Sequence, residues 1–506
     1  MASTFFGLNI ATLGIYAAQA GLATTGHNTS NENTKGYSRQ IVSQTAANAL
    51  RFYTSYGMVG SGVEVTGIDQ MRDSYYDVKY RSNEAKLGEY STKYTYTLQM
   101  EDYLNEIDTT GFTDEYENLF SALKSMQGNP SEVTYRAEFL NYCASISEYF
   151  NDIQTKLTNL QQQCNTEVSN MVDRINNISQ QVAALTKQIN TVELTGAAAN
   201  DLRDKRELLL DEMSEMIPIE VKEIKGINGN SEFFVKVQGV ILVDTYESEQ
   251  LYTVEREELH NSMDSAGIYD IYFQGTKLDV QAMNLTGSLK ATMDIRDGNN
   301  GTVEADNDNC EAVKYKGIPY YINRIQEFKK TLADTFNDIH QNLTRKDDDG
   351  NDVPANYNLY GDTTEDIPIF IISDNGVMSV NKELLDDPSL LAASAYPIQD
   401  GVEDSGLIDE LLKVQDKPIF NNSKAQQFIQ SIGIELAVDV RKAKTFDKNY
   451  TNIKDSVTNQ RLSVSGVDGD EEAMNMVKYQ EAFELSSKMI SIMQQIYNTL
   501  INEMGL

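Results

Sequence analysis

The stretch 463–506 carries the most regular apolar pattern in the chain. Met476, Tyr479, Phe483, Ile490, Met493, Tyr497, Leu500 and Met504 recur at alternating steps of three and four, with Ser486 in the one polar place. This is the seam of a coiled-coil helix. A second row, Ala482, Leu485, Met489, Ile492 and Ile496, runs beside it. A helix apolar over so wide an arc needs at least two neighbours. Asp468, Asp470, Glu471 and Glu472 crowd its start, where carboxylates meet the positive end of the helix dipole. The N-terminal stretch mirrors this pattern. Phe6, Ile10, Leu13, Ala17, Ala20, Thr24 and His27 alternate steps of four and three, with small residues that let a bulky partner helix approach closely. The two ends are expected to pair into one discontinuous domain.

Between the ends the period changes twice. Residues 74–220 read as mostly helical, broken at Gly128-Asn129-Pro130. The clearest seam is Ile146, Phe150, Ile153, Leu157, Leu160, Cys164, Met171, Ile175, Ile178, Val182, Leu185, Ile189 and Val192; only Glu167 interrupts it. It predicts one helix over 145–194, about 75 Å long at about 1.5 Å per residue. Gly196 and Ala197-Ala198-Ala199 turn the chain, and a helix from Asn200 returns antiparallel. Its Asp201, Asp204 and Arg206 have the spacing of surface ion pairs along one helix. From Ile219 to Leu278 the period falls to two, with a turn at Gly226-Ile227-Asn228-Gly229, and predicts short strands. Ile318-Pro319 opens a helix that ends at His340. A β-prone stretch follows, with Ile367–Ile372 as its strongest strand, and helices resume over 406–412 and 423–460.

These segments predict a multidomain α+β protein: a discontinuous N-/C-terminal helical coiled-coil core, an elongated helical bundle and inserted β-rich outer domains. The expected parts are paired terminal helices at 1–36 and 466–506, and a helical domain from 37–222, 285–344 and 404–465. A β domain is expected at 223–284 and a second insertion at 345–403.

Composition narrows the function. A net charge of −34 argues against nucleic acid or an anionic membrane as partner. No apolar run reads as long enough to span a bilayer. Cys143, Cys164 and Cys310 form no CxxC pair and read as free thiols, Cys164 as a buried small hydrophobe. With no positive charge before Lys35 and no continuous apolar core, the N-terminus is not a Sec signal peptide. The histidines His27, His260 and His340 stand apart from any HExxH, P-loop, GxGxxG or nucleophile-elbow pattern. The Asp/Asn-rich runs 294–308 and 347–350 lack EF-hand spacing. No catalytic, cofactor-binding or metal-ligating residue is expected.

A polar turn-forming run, 28–40, follows the first helix. Its Asn28, Asn31, Thr34, Gly36 and Tyr37 resemble the Asn-Asn-x-x-Asn-x-x-Thr-x-Gly-Tyr signature of bacterial flagellar rod, hook and hook-associated proteins. Arg39-Gln40 extends the resemblance in the hook-associated branch, while His27 and Lys35 replace the usual Asn and Pro. Val59-Gly60-Ser61-Gly62-Val63-Glu64-Val65, the helix from Asn200 to Ser214 and the stretch from Ser465 to Phe483 are similar to that family too.

The resemblance implies a structural subunit of the flagellum at the junction between hook and filament, allowing filament assembly on the hook, and not an enzyme. Another axial protein (hook, distal rod or flagellin-like) is the alternative, with an unrecognised enzyme behind it. Implied partners are copies of the chain in a ring or helical layer, hook protein, a second junction protein, and an export chaperone on the C-terminal helix. The implied location is extracellular, reached by flagellar type III export without a cleaved signal. The assembly interface would comprise Phe6, Ile10, Leu13, Ala17, Ala20 and the seam from Met476 to Met504.

Overall fold

The computed structural model describes residues 6–51, 58–109, 111–225, 231–259, 261, 263–278, 285–298, 315–397 and 403–502. The expected turn 226–229, His260, Cys310, most of the 294–308 run and Met504 lie outside them. The described helices are α1 (Phe6–Ser30), α2 (Ser74–Thr109), α3 (Gly111–Gly128), α4 (Val133–Glu193), α5 (Asn200–Met216), α6 (Ser288–Asp297), α7 (Ile318–Asn342), α8 (Lys382–Asp386), α9 (Gly406–Lys413), α10 (Ala425–Ser465) and α11 (Gly469–Asn502). With several small sheets they make a multidomain α+β protein. Packing divides the chain into two compact units. The first comprises Met1–Leu87, Asp173–Leu251 and Asn449–Leu506; the second comprises Gly88–Val172 and Tyr252–Lys448.

The long seam of α4 is buried almost throughout. Glu167 points to solvent and Val168 takes its place in the core, so two successive four-residue steps (Leu160, Cys164, Val168) form a stutter in the heptad. Cys143 and Cys164 are free buried thiols. Burial pushes the Cys164 thiol up to about 12.

Four asparagines on one arc of α4 each grip a passing backbone at two points. In the second unit, Asn151 donates to Met378 O (2.7 Å) and accepts from Met378 N (3.0 Å). Asn165 donates to Gly267 O and accepts from Tyr269 N, both at 2.9 Å. In the first unit, Asn176 pairs with Leu251 and Asn190 with Ser231 in the same two-way manner. A side-chain amide matches a peptide group in both donor and acceptor, so it satisfies a buried strand edge that would otherwise carry orphan groups.

This row bears on the stretch 223–284, expected as one β domain. Its strands Glu220–Lys225, Ser231–Val237, Val240–Asp244 and Glu247–Ser248 form a four-stranded antiparallel sheet in chain order. Leu251–Glu255, Tyr269–Phe273 and Thr276–Lys277 form a separate three-stranded sheet. The division between units falls at Leu251. Asn190 ties the four-stranded sheet to α4, and Asn176 and Asn165 tie the three-stranded one.

In the second unit one hydrophobic core gathers α3, α4, α7, α9 and α10. Phe328 stacks on Phe420 with centroids 4.6 Å apart and meets Phe112 edge-on at 5.3 Å. The stretch 345–403 feeds the same core. Its hairpin of Phe370–Ile372 and Met378–Val380 buries Phe370, Met378 and Val380 beside Phe336.

In the first unit Gln40–Ala46 pairs antiparallel with Val63–Gln70, with a bulge between Ser43 and Gln44. The expectation that no apolar stretch reaches membrane-spanning length is corrected by α1, which is long and apolar enough by length and composition. Its small residues lie against α11.

Candidate assembly interface

α1 and α11 pack antiparallel through a row of glycines. Gly7 faces Met493, Gly14 faces Ser486 and Gly21 faces Tyr479, so steps of seven on one helix meet steps of seven on the other. A Cβ at Gly7 would sit 2.5 Å from Met493 Cε, and one at Gly14 would sit 2.7 Å from Ser486 Oγ. At Gly21 a Cβ would meet ring atoms of Tyr479, so a larger residue there would have to push the helices apart. The row read from the sequence occupies the next arc of α1. There Ile10 and Leu13 lie against Gly62, Ala17 is buried, and Phe6 and Ala20 are half-buried.

On α11, Tyr479, Phe483, Ser486, Ile490, Met493 and Tyr497 are half-buried, while Met476 and Leu500 are exposed. The second row is open. Leu485 is 68% exposed, and Met489, Ile492 and Ile496 are exposed as well. Among the described residues of α11 only Glu472 is buried.

The polar run after α1 folds around Asn28. Its amide donates to Gln40 O (2.8 Å) and accepts from Gln40 N (3.0 Å) and from the Tyr37 hydroxyl (2.7 Å). With the hydroxyl proton spent on Asn28, His27 Nδ1, 3.0 Å away, is the donor to Tyr37. Burial, then Asp201, Asp204 and Glu472, push the Tyr37 pKa up, which keeps the hydroxyl protonated. Gly36 adopts a φ of +82°, a conformation that favours glycine.

The next residue pair ties both chain ends together. Arg39 N donates to Ser465 O (2.9 Å), and its guanidinium reaches Glu472 (2.7 Å) and Glu471 (2.8 Å). Asp468 caps α11 by accepting from the backbone N–H groups of Asp470 (3.0 Å) and Glu471 (3.2 Å).

The antiparallel return of α5 is fixed by Arg203, which forks onto Glu193 (2.7 and 2.9 Å), and by Arg174 on Glu212 (2.7 Å). The reading of Asp201, Asp204 and Arg206 as surface pairs along one helix is corrected, because all three reach other elements. Asp201 accepts from Gln40 Nε2 (2.8 Å) and Asp204 from Ser38 N (2.9 Å). Arg206 is buried over the Phe233 ring, 3.8 Å from its centroid, and binds Glu223.

Farther along, Glu207 and Asp211 hold Arg81, and Asp211 also holds Arg461 of α10 (2.6 Å). Burial pushes the Glu207 pKa up, but Arg81, Arg72 and Arg206 outweigh it and hold the carboxyl down at about 2. Sequence reasoning missed this arginine–carboxylate stripe, whose partners are far apart in the chain. It also missed the glycine row, although a search for small residues seven apart would have found it.

Comparison with known proteins places this architecture among the structural proteins of the bacterial flagellum. The model "Flagellar basal body rod FlgEFG protein C-terminal" matches residues 458–503, and "Flagellar hook-associated protein FlgK helical domain" matches 97–353. The chain belongs to the flagellar hook-associated protein FlgK family. It is 28% identical to flagellar hook-associated protein 1 of Bacillus subtilis (strain 168), over 100% of this chain and 99% of that protein. The protein of the same name from Salmonella typhimurium (strain LT2) is 22% identical, over 98% of this chain and 99% of its own length. The solved flagellar hook junction protein FlgK of Burkholderia pseudomallei aligns with a TM-score of 0.45 and 17% identity. That alignment covers 58% of this chain and 47% of the other.

Proposed function

We propose that this chain is a structural, non-enzymatic subunit of the hook–filament junction, exported without a cleaved signal and needed for the filament to add to the hook. The observation that carries this reading is α11: one apolar row packs on α1 while a parallel row stays open. An open row of that length suits contact with neighbouring subunits rather than with the chain's own middle. On this reading copies of the chain form a ring or helical layer with their terminal helices innermost. Hook protein and a second junction protein lie on either side, and an export chaperone covers the C-terminal helix before assembly. The interface is the terminal pair, Phe6, Ile10, Leu13, Ala17 and Ala20 with the seam from Met476 to Met504, and its outward contact is the open row Leu485, Met489, Ile492 and Ile496.

The test is a chromosomal deletion of residues 490–506. Cells should build complete hooks, lack filaments and release flagellin into the medium, while the purified variant stays folded and soluble. Filaments of normal length still attached would overturn the reading. Cells without hooks would favour a rod or hook subunit instead.

A further inference from the structure

In the second unit α10 buries one face and leaves the opposite one bare. Phe428, Ile432, Leu436, Val440 and Ala443 point into the core. On the other side Ile434 is 64% exposed and Val438 60% exposed. One to three turns further along come Arg441, Lys442 and Lys448 on the same side, with Lys444 at its edge, all exposed. This is a dense basic cluster in a chain of net charge −34, and only Asp447 interrupts it. Among the described residues none of the four cations forms an ion pair. Lys444 has only the Tyr94 ring, 5.9 Å from its ammonium. A face that begins apolar and ends cationic is complementary to a surface that is apolar and anionic in turn.

The same unit carries such a surface. The edge strand Leu251–Glu255 and the residues after it expose Tyr252, Val254 and Leu259 together with Glu255, Glu257 and Glu258. Arg256, the one cation among them, is turned inward onto Asp270 (2.8 Å) and Asp297 (2.7 Å). The carboxylates outside are therefore left without it.

We infer that the Ile434–Lys448 face of one copy docks on the Tyr252–Leu259 edge of a second copy, cations on carboxylates and Ile434/Val438 on the exposed apolar residues. The contact rests on the subunit reading above, because a chain that assembles with itself meets its own surfaces repeatedly. It differs from the terminal-helix interface in location and chemistry. It is salt-sensitive where that one is apolar.

The experiment mixes natural-abundance and 15N-labelled full-length chains and applies a zero-length carbodiimide, which joins lysine ammonium to carboxylate. Linked peptides are then read by mass spectrometry. Mixed-isotope links from Lys444 or Lys448 to Glu255, Glu257 or Glu258 are expected, falling about tenfold in high salt. They should vanish in K444E/K448E, whose melting curve stays that of the parent because both side chains are exposed. Links should return in different positions when K444E/K448E is mixed with E257K/E258K. Links confined to one isotope, or directed to other carboxylates, would overturn the inference. If that happened while the C-terminal deletion still abolished filament attachment, this contact would fall and the junction reading would stand.

Discussion

Arg39 and Glu472 are separated by 433 positions in the chain, and their side chains meet at 2.7 Å. The pair fastens the polar turn after α1 to the first turn of α11, where the Glu472 side chain is only 2% exposed. Removing the arginine strands a buried carboxylate, which costs more than the pair itself is worth. Arg39→Met should therefore destabilise the first unit by about 2–3 kcal/mol, read by chemical denaturation. Hydrogen exchange should speed up at the start of α11. The double variant Arg39→Met/Glu472→Gln should recover about half of the loss, since no charge is then left unpaired.

The glycine row gives a contrast within one helix. Gly21 has the Tyr479 ring against the place a Cβ would take, whereas Gly26 has nothing within 4 Å. Gly26→Ala should stabilise α1 by about 0.5–1 kcal/mol, the ordinary helix preference of alanine over glycine. Gly21→Ala gains the same preference but must push α11 away, and should destabilise by about 1–3 kcal/mol. Melting temperatures that move in the same direction for both would rule out close approach as the reason for the row.

Legibility in the sequence followed the range of the interactions. The α4 seam, the terminal helices and the antiparallel return of α5 are written in local spacing, and all could be read. Glu167 looked like a break because a heptad template has no place for a stutter; Val168 restores the seam one residue later. The arc of α1 that meets α11 was placed on the larger side chains, Ile10 and Leu13, since apolar counting passes over glycine. Asp204 looked solvated because its partners, Ser38 and Arg72, come from the chain before α2; Glu207 and Asp211 beside it meet Arg81 of α2 and Arg461 of α10. Nothing in local spacing links Asn151, Asn165, Asn176 and Asn190 to the strands they hold, because each partner is a backbone group.

Those asparagines should be costly to replace. Asn165→Leu keeps the side chain's size but leaves Gly267 O and Tyr269 N without partners, and should destabilise the second unit by about 2–4 kcal/mol. Gln162, one turn away and exposed, should accept leucine with a change under about 0.5 kcal/mol. Denaturation of the two variants side by side tests whether amide pairing, rather than helix propensity, sets the difference.

His340 makes the second unit sensitive to acid. Its Nδ1 donates to Ile367 O (2.7 Å) and its Nε2 accepts from Ala392 N (2.9 Å), so only the neutral ring satisfies both. Burial lowers its pKa, the Ile367 carbonyl partly opposes this, and Arg136 adds to it, leaving a value of about 4. Because the folded value lies below the ordinary 6.5, the unfolded chain takes up the proton first. The contribution is full above pH 6.5 and is lost as pH falls toward 4, amounting to about 3 kcal/mol. His340→Met cannot titrate. The stability difference between parent and variant should shrink steadily over that window, and a constant difference would refute the assignment.

The open row on α11 separates folding from assembly. Leu485 and Ile492 are exposed in the isolated chain, so Leu485→Glu/Ile492→Glu removes no buried contact and should shift the melting curve by less than about 0.5 kcal/mol. Phe483 and Ile490 are half-buried in the seam facing α1, and Phe483→Glu/Ile490→Glu should cost several times as much. If the open row is where neighbouring subunits bind, the first variant should be exported normally and fold. It should still fail to support filaments, because two carboxylates would have to be buried without partners at each contact. Fluorescence labelling of filaments, with immunoblots of cells and medium, reads both steps at once. Normal filaments from the Leu485→Glu/Ile492→Glu strain would mean that the open row faces water in the assembled structure too, and the contact surface would have to be sought elsewhere on the terminal pair.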